Sequence, residues 1–135
     1  MGKPKIVVLC GSTRFKREFE MANAEQSKLG KIVLTVCWFT HTDGGLGDEA
    51  EQIFGELHYP KIDMSDEVYV VNPLTKCCPT CGKWCQEYTT DYWKCKECKI
   101  QIVPVEKHYI GESTRKEIEY ATKSGKPITY LNPVN

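Results

Sequence analysis

The chain has 135 residues, enough for one full-sized domain with a small satellite module and too few for two. Its 18 basic and 18 acidic residues cancel, which excludes a field-driven attraction to nucleic acid or an anionic membrane and leaves any bound anion to be held by local groups. Six of the eight cysteines fall between Cys77 and Cys98, and that clustering sets one segment apart from the rest.

The first element expected is a strand over "KIVVLC", residues 5–10, a β-branched run ended by Gly11, as in a strand buried on both faces of a parallel sheet. Its apolar run, Ile6 to Cys10, is too short for the core of a signal peptide or a membrane span, so a cytoplasmic protein without a membrane partner is expected. A helix follows in "STRFKREFEMANAEQSKLG", with Phe15, Phe19, Ala22 and Ala24 among charges at roughly helical spacing, Ser12 or Thr13 as N-cap and Gly30 as the stop. "KIVLTV" (31–36) reads as a second buried strand and "HTDGGLGDE" (41–49) as a loop. "EAEQIFGELHYPKIDMSD" is helical, with Pro60 expected to kink it or to start a second helix. "EVYVVN" (67–72) is the third strand, "ESTRKEIEYATKSGK" (112–126) a helix closed by Gly125, and "PITYLN" (127–132) the fourth strand.

Strands alternating with helices imply an α/β domain: a doubly wound, mostly parallel sheet of four to five strands, Rossmann-like or flavodoxin-like, over residues 1–73 and 108–135. Ligands of such sheets bind past the carboxyl ends of the strands, which directs attention to the loops beginning at Gly11 and Asn72. Residues 74–107 interrupt the alternation. Within them Cys78-x2-Cys81 and Cys95-x2-Cys98 form two knuckles, the spacing of a structural zinc ribbon whose closed thiolate shell leaves no open position. Cys77 and Cys85 are competing ligands on this reading, and an iron centre is the alternative metal. Lys83, Trp84, Tyr92, Trp93 and Lys94 supply the charges and aromatics by which a ribbon touches nucleic acid. The same aromatics equally serve to pack a segment too short for a core of its own, and this use is favoured, with the ribbon also shaping one wall or lid of the site.

"CGSTRF" joins the first strand to its helix. Gly11 allows close backbone approach, Ser12 and Thr13 offer hydroxyls and N–H groups, and Arg14 supplies a fork of donors, a set that suits a phosphate. It equally suits an N-cap beside a surface arginine. Trp38, Phe39 and His41 follow the second strand, and under the family resemblance given below they are the side chains to stack on and recognise a base. His41 and His58 otherwise read as satisfied or surface histidines. In the last helix, Thr114-x-x-Glu117 has the form of a capping box. At about 100° per residue, however, Glu117 lies roughly 70° from the stripe set by Ile118 and Ala121, against about 130° for Glu119, so Glu117 alone borders the buried face.

Three segments together resemble the nucleoside 2-deoxyribosyltransferase superfamily, in particular its deoxynucleoside 5′-monophosphate N-glycosidase branch. "VVLCGSTRFKREFE" resembles that branch's opening, "IDMSDEVYVVN" its aspartate-led strand, and "YIGESTRKEIEYATKSGKPITYL" its glutamate-bearing helix and final strand, with Glu117 in the place of the nucleophile. The resemblance spans residues 5–72 and 109–132; Gly111 stands where the transferase branch carries an aspartate, and Glu119 where a glycine is usual. It implies cleavage of an N-glycosidic bond through a glycosyl-enzyme on Glu117, with Asp66 orienting the sugar and assisting proton transfer. It further implies Ser12 and Arg14, with Ser113 and Thr114, on a 5′-phosphate, a nucleotide or nucleoside substrate, no organic cofactor, and a homo-oligomer. A non-catalytic nucleotide sensor is the competing expectation.

Overall fold

The computed structural model describes residues 2–83, 87–88, 93–95 and 97–133. In chain order the elements are β1 (Ile6–Gly11), α1 (Lys16–Lys28), β2 (Ile32–Leu34), α2 (Thr40–Asp43), α3 (Asp48–Met64), β3 (Glu67–Val71), β4 (Leu74–Cys77), β5 (Glu87–Tyr88), β6 (Trp93–Lys94), β7 (Gln101–Ile102), β8 (Val105–His108), α4 (Glu112–Lys123) and β9 (Ile128–Tyr130). They divide into two compact units, Met1–Asn72 with Ile110–Asn135, and Pro73–Tyr109. Among the described residues no helix is long and apolar enough to cross a membrane.

The first unit is a mixed α/β structure built on a four-stranded parallel sheet in the order β2-β1-β3-β9. Side chains alternate across it, as they must in a pleated strand. Val8, Cys10, Val68 and Val70 share one face with Ile62 of α3 and Ala121 of α4, and Leu34, Tyr59, Ile118 and Ile128 close the edges of that layer. The opposite parity, Val7, Leu9, Tyr69 and Val71, is buried too, as are Phe19 and Ala22 of α1, which packs on β1 and β2. Each fully buried Leu, Val or Phe contributes about 1.5–3 kcal/mol by leaving water, and the two central strands carry most of these.

Several local expectations change in the structure. The helix foreseen from Ser12 begins at Lys16, with Phe15 at the cap position and no side-chain cap bond; Ser12 instead folds a turn, its carbonyl accepting Phe15 N at 3.1 Å and its hydroxyl facing Arg14 N at 3.3 Å. Phe15, Phe19 and Ala22 are buried as expected, but Ala24 is exposed. β2 is not a buried strand: it lies at the sheet's edge, only three residues long, with Ile32 exposed. α3 runs through Pro60 as one helix. Pro60, which has no N–H to donate to the Glu56 carbonyl, lies with Glu56 on the exposed side of the helix. The loop foreseen over residues 41–49 opens with α2.

All four strands end at the same edge of the sheet, and that edge is tightly built. A Cβ on Gly11 would stand 2.7 Å from the Val71 carbonyl oxygen and 3.1 Å from the Phe19 ring, so no other residue fits. Asn72, fully buried, and Asn132 clamp each other: Asn72 Nδ2 donates to the Asn132 carbonyl at 2.7 Å, Asn132 N donates to Asn72 Oδ1 at 2.8 Å, and Asn132 Nδ2 donates to the Asn72 carbonyl at 2.9 Å. The loop position expected to receive a ligand at Asn72 is thus occupied by the chain itself.

The second unit pairs β4 with β8 in antiparallel fashion and stacks β5-β6-β7 into a three-stranded antiparallel sheet. Tyr109 N donates to the Pro73 carbonyl at 3.0 Å and closes its base. Trp84, Cys85 and Tyr92, named above as ribbon side chains, lie outside the described residues.

Candidate functional site

Glu117 does not cap its helix. α4 starts at Glu112 with Gly111 at the cap position, which puts Thr114 inside the first turn, 3% exposed, and Glu117 one turn further along the same face with Ala121. From there the carboxylate meets two buried side chains from other elements. His58, four residues before Ile62 on the buried side of α3, places Nε2 3.8 Å from Glu117 Oε1. Cys10 of β1, wholly buried, places Sγ 3.3 Å from the same His58 nitrogen. The ligand-type atoms of Cys10, His58 and Glu117 all lie within 4.8 Å of one another.

Burial decides the charge state of this group. Desolvation pushes the Glu117 carboxyl up to about 7, opposed by a hydrogen bond from the Cys10 thiol. Desolvation pulls the His58 imidazole down to about 4, with the Lys61 ammonium acting in the same direction and a hydrogen bond to the Leu9 backbone opposing it. Burial, and then the Glu117 charge, raise the Cys10 thiol well above its usual range. The His58–Glu117 approach has the separation of an ion pair, yet between about pH 4 and pH 7 both partners are mostly neutral, so it is a polar contact without net charge. A carboxyl that ionises near neutrality beside a neutral imidazole is equipped for proton transfer or for attack on an electron-poor carbon.

Cys10 is followed directly by Gly11, Ser12, Thr13 and Arg14, so the loop expected to hold phosphate begins one residue from the group that touches Glu117. Thr13 Oγ1 lies 2.7 Å from His41 Nδ1 and 3.2 Å from Thr40 Oγ1, tying this loop to the one after β2. His41 is held below its usual range by partial desolvation and by the Arg14 charge, which brings Arg14 into the same neighbourhood. The two aromatics of that segment are used structurally: Phe39 meets Phe19 edge-on with ring centroids 5.5 Å apart, and Trp38 Nε1 donates to the Gly44 carbonyl at 2.7 Å. Ser113 is exposed on the first turn of α4, whereas Thr114 is buried beneath it.

Asp66 stands apart from all of these. It precedes β3, its Oδ2 accepts Ile6 N at 2.8 Å and its own N donates to the Ile6 carbonyl at 2.7 Å, which fixes it at the amino end of the sheet. Cys10 and Gly11 lie at the opposite end of the same strand, four and five residues further on, about 13 Å away at the strand rise. The aspartate implied as partner of Glu117 is therefore a strand-pairing residue, and His58 and Cys10 occupy the ground beside the carboxylate. Sequence reasoning missed both. The available signal was the four-residue spacing of His58 from Ile62, which sets the histidine on the buried stripe of its helix.

In the second unit Cys78, Cys81, Cys95 and Cys98 bring their sulfurs within 4.8 Å of one another, compatible with a structural metal site such as zinc. Two equivalent knuckles make this arrangement. Gly82 N donates to the Cys78 carbonyl at 2.8 Å and Thr80 N points at Cys78 Sγ at 3.4 Å; Lys99 N donates to the Cys95 carbonyl at 2.7 Å and Cys98 N points at Cys95 Sγ at 3.3 Å. Backbone N–H groups of Cys81 and Thr80 draw the Cys78 thiol down to about 6, while hydrogen bonding to Cys81 and desolvation push Cys98 up to about 12. Four thiols so crowded favour a cation that lets all of them ionise. The chain matches no family model, no curated protein and no solved structure.

Proposed function

We propose that the α/β unit cleaves the N-glycosidic bond of a nucleoside or nucleotide, with Glu117 attacking C1′ to form a glycosyl-enzyme that water or a second base resolves. The observation that carries this reading is the largely desolvated carboxyl of Glu117, held to about 7, beside Cys10 at the carboxyl end of β1, the residue that precedes the Gly11–Arg14 loop. The resemblance of three segments to the deoxyribosyltransferase superfamily supports it, as does the strand order β2-β1-β3-β9, which agrees with a doubly wound, flavodoxin-like sheet. Ionised Glu117 is the nucleophile, and the positive charge developing on the sugar ring favours the anion just when it is needed. Neutral His58 and Cys10 hold the carboxyl in place and keep water from solvating it. Ser12, Thr13 and Arg14, with Ser113, bind the 5′-phosphate, and His41 with Thr13 shapes the base side. Asp66 has no part in the chemistry, and zinc in the four-cysteine cluster has only a structural one.

The test is base release, followed by chromatography, from a panel of ribo- and deoxyribonucleoside 5′-monophosphates and their nucleosides, with and without an acceptor base. Wild type is expected to release base at a rate that rises as pH passes through about 7, where Glu117 ionises, and Glu117→Ala and Glu117→Gln to lose at least a hundredfold. Nucleotide binding without base release from wild type would replace this reading with that of a nucleotide sensor.

A further inference from the structure

The group beside the sheet's carboxyl end contains more than a nucleophile needs. A thiol, an imidazole and a carboxyl from β1, α3 and α4 converge on one point, with Cys10 Sγ to His58 Nε2 at 3.3 Å and His58 Nε2 to Glu117 Oε1 at 3.8 Å. A tetrahedral zinc ion, bound at about 2.3 Å to sulfur and about 2.0–2.1 Å to nitrogen or oxygen, sets its ligands about 3.5 Å apart for S···N and about 3.4 Å for N···O. The two observed separations differ from these by only a few tenths of an ångström, and the thiol and carboxylate lie within 4.8 Å of each other, so modest side-chain movement suffices to close the set. Three protein ligands leave one position open, in contrast to the closed shell of the four cysteines.

We infer that Cys10, His58 and Glu117 form a second metal site, which takes a thiophilic divalent ion of the zinc class and, when occupied, withholds Glu117 from substrate. The donor set selects the metal: a thiolate and an imidazole beside one carboxylate disfavour magnesium and calcium, which take oxygen ligands. Binding displaces the thiol proton of Cys10 to solvent, and the carboxyl proton of Glu117 wherever it is still held, so that sulfur, nitrogen and oxygen each donate one lone pair to the ion. The ion also crosslinks β1, α3 and α4, adding to the apolar contacts of Val8, Ile62 and Ala121 that already join them. That the ion inhibits rests on the N-glycosidase reading; that it binds does not.

The full-length protein, stripped with a chelator under reducing conditions, is titrated with cobalt(II) and then zinc. Two equivalents are expected, one giving the intense sulfur-to-cobalt absorption of a four-thiolate site and one the weaker absorption of a single thiolate. Cys10→Ser and Glu117→Gln, near-isosteric changes whose folding is checked by circular dichroism, should each bind one equivalent and keep the four-thiolate spectrum. A single equivalent in wild type, or a second equivalent that survives in Cys10→Ser, overturns the site. In the base-release assay, zinc beyond the first equivalent should suppress wild-type turnover at least tenfold; undiminished turnover with the second ion bound overturns the inhibitory role. A stripped wild type that binds two equivalents and releases no base leaves the metal site standing and removes the N-glycosidase reading instead.

Discussion

Glu117 and His58 titrate against the fold in opposite directions. The carboxyl rises from 4.5 to about 7 on folding, so between those values the folded chain holds more protons than the unfolded chain, and stability falls as pH rises through the window. The imidazole falls from 6.5 to about 4, the unfolded chain holds more protons between those values, and stability rises with pH there. Each shift corresponds to about 3 kcal/mol if fully expressed. The two contributions together place the optimum of this group near pH 5–6. Glu117→Gln removes only the falling limb: it should match wild type near pH 4.5 and exceed it by about 1–3 kcal/mol near pH 8, as read by urea unfolding across pH. Parallel pH profiles for the two proteins would mean that the carboxyl is not desolvated as described. Asp66, legible in sequence as a carboxylate ahead of a strand, shows the reverse: its residue type was informative, but only the pairing of β3 with β1 turned it toward Ile6.

The elements that matter most to the site are β1 and the two helices that cross it. β1 carries Cys10 and ends in Gly11, whose missing side chain lets Val71 of β3 and Phe19 of α1 close together beneath the loop. Gly11→Ala should therefore lower stability by about 2–3 kcal/mol, because its nearest clash is with a backbone carbonyl that cannot rotate away, and should displace the loop it opens. Chemical unfolding measures the first effect; unchanged stability would show that the close approach is relaxed in solution. Strand existence was legible from β-branched runs, and the extent of β1 and β3 was legible to within about a residue. The beginning of α4 at Glu112 was legible as well, but that of α1 was not, because a serine or threonine followed by a helical pattern signals a cap only when the chain enters the helix there. In α1 the turn at Ser12 delays entry to Lys16, and in α4, with Gly111 at the cap position, the apparent capping box becomes a buried Thr114 and a Glu117 beside His58.

At the scale of the whole chain, two units rest on different physics. Met1–Asn72 with Ile110–Asn135 is held by a sheet buried on both faces, whereas Pro73–Tyr109 has a small buried cluster of Cys78, Cys95 and Ile102 and depends on its sulfurs. Metal removal should therefore separate them: chelation of the reduced protein is expected to abolish slow amide exchange across Pro73–Tyr109 and leave it intact in β1 and β3, as read by hydrogen exchange. Protection that persists in both units after complete metal loss would show the second unit to be self-sufficient. The sequence by itself determined the α/β alternation, the interruption between the third strand and its helix, the pairing of the cysteines into two knuckles, and the position of Glu117, alone among Glu112, Glu117 and Glu119, beside the buried face. Those follow from period, turn chemistry and ligand spacing, all of which act over a few residues. Only the tertiary structure decided that β2 is an edge strand, that Asn72 is taken by Asn132, and that Cys10 and His58, rather than Asp66, stand beside Glu117. Those outcomes depend on which strands pair and which helix faces meet, contacts between residues some sixty positions apart that no local pattern encodes.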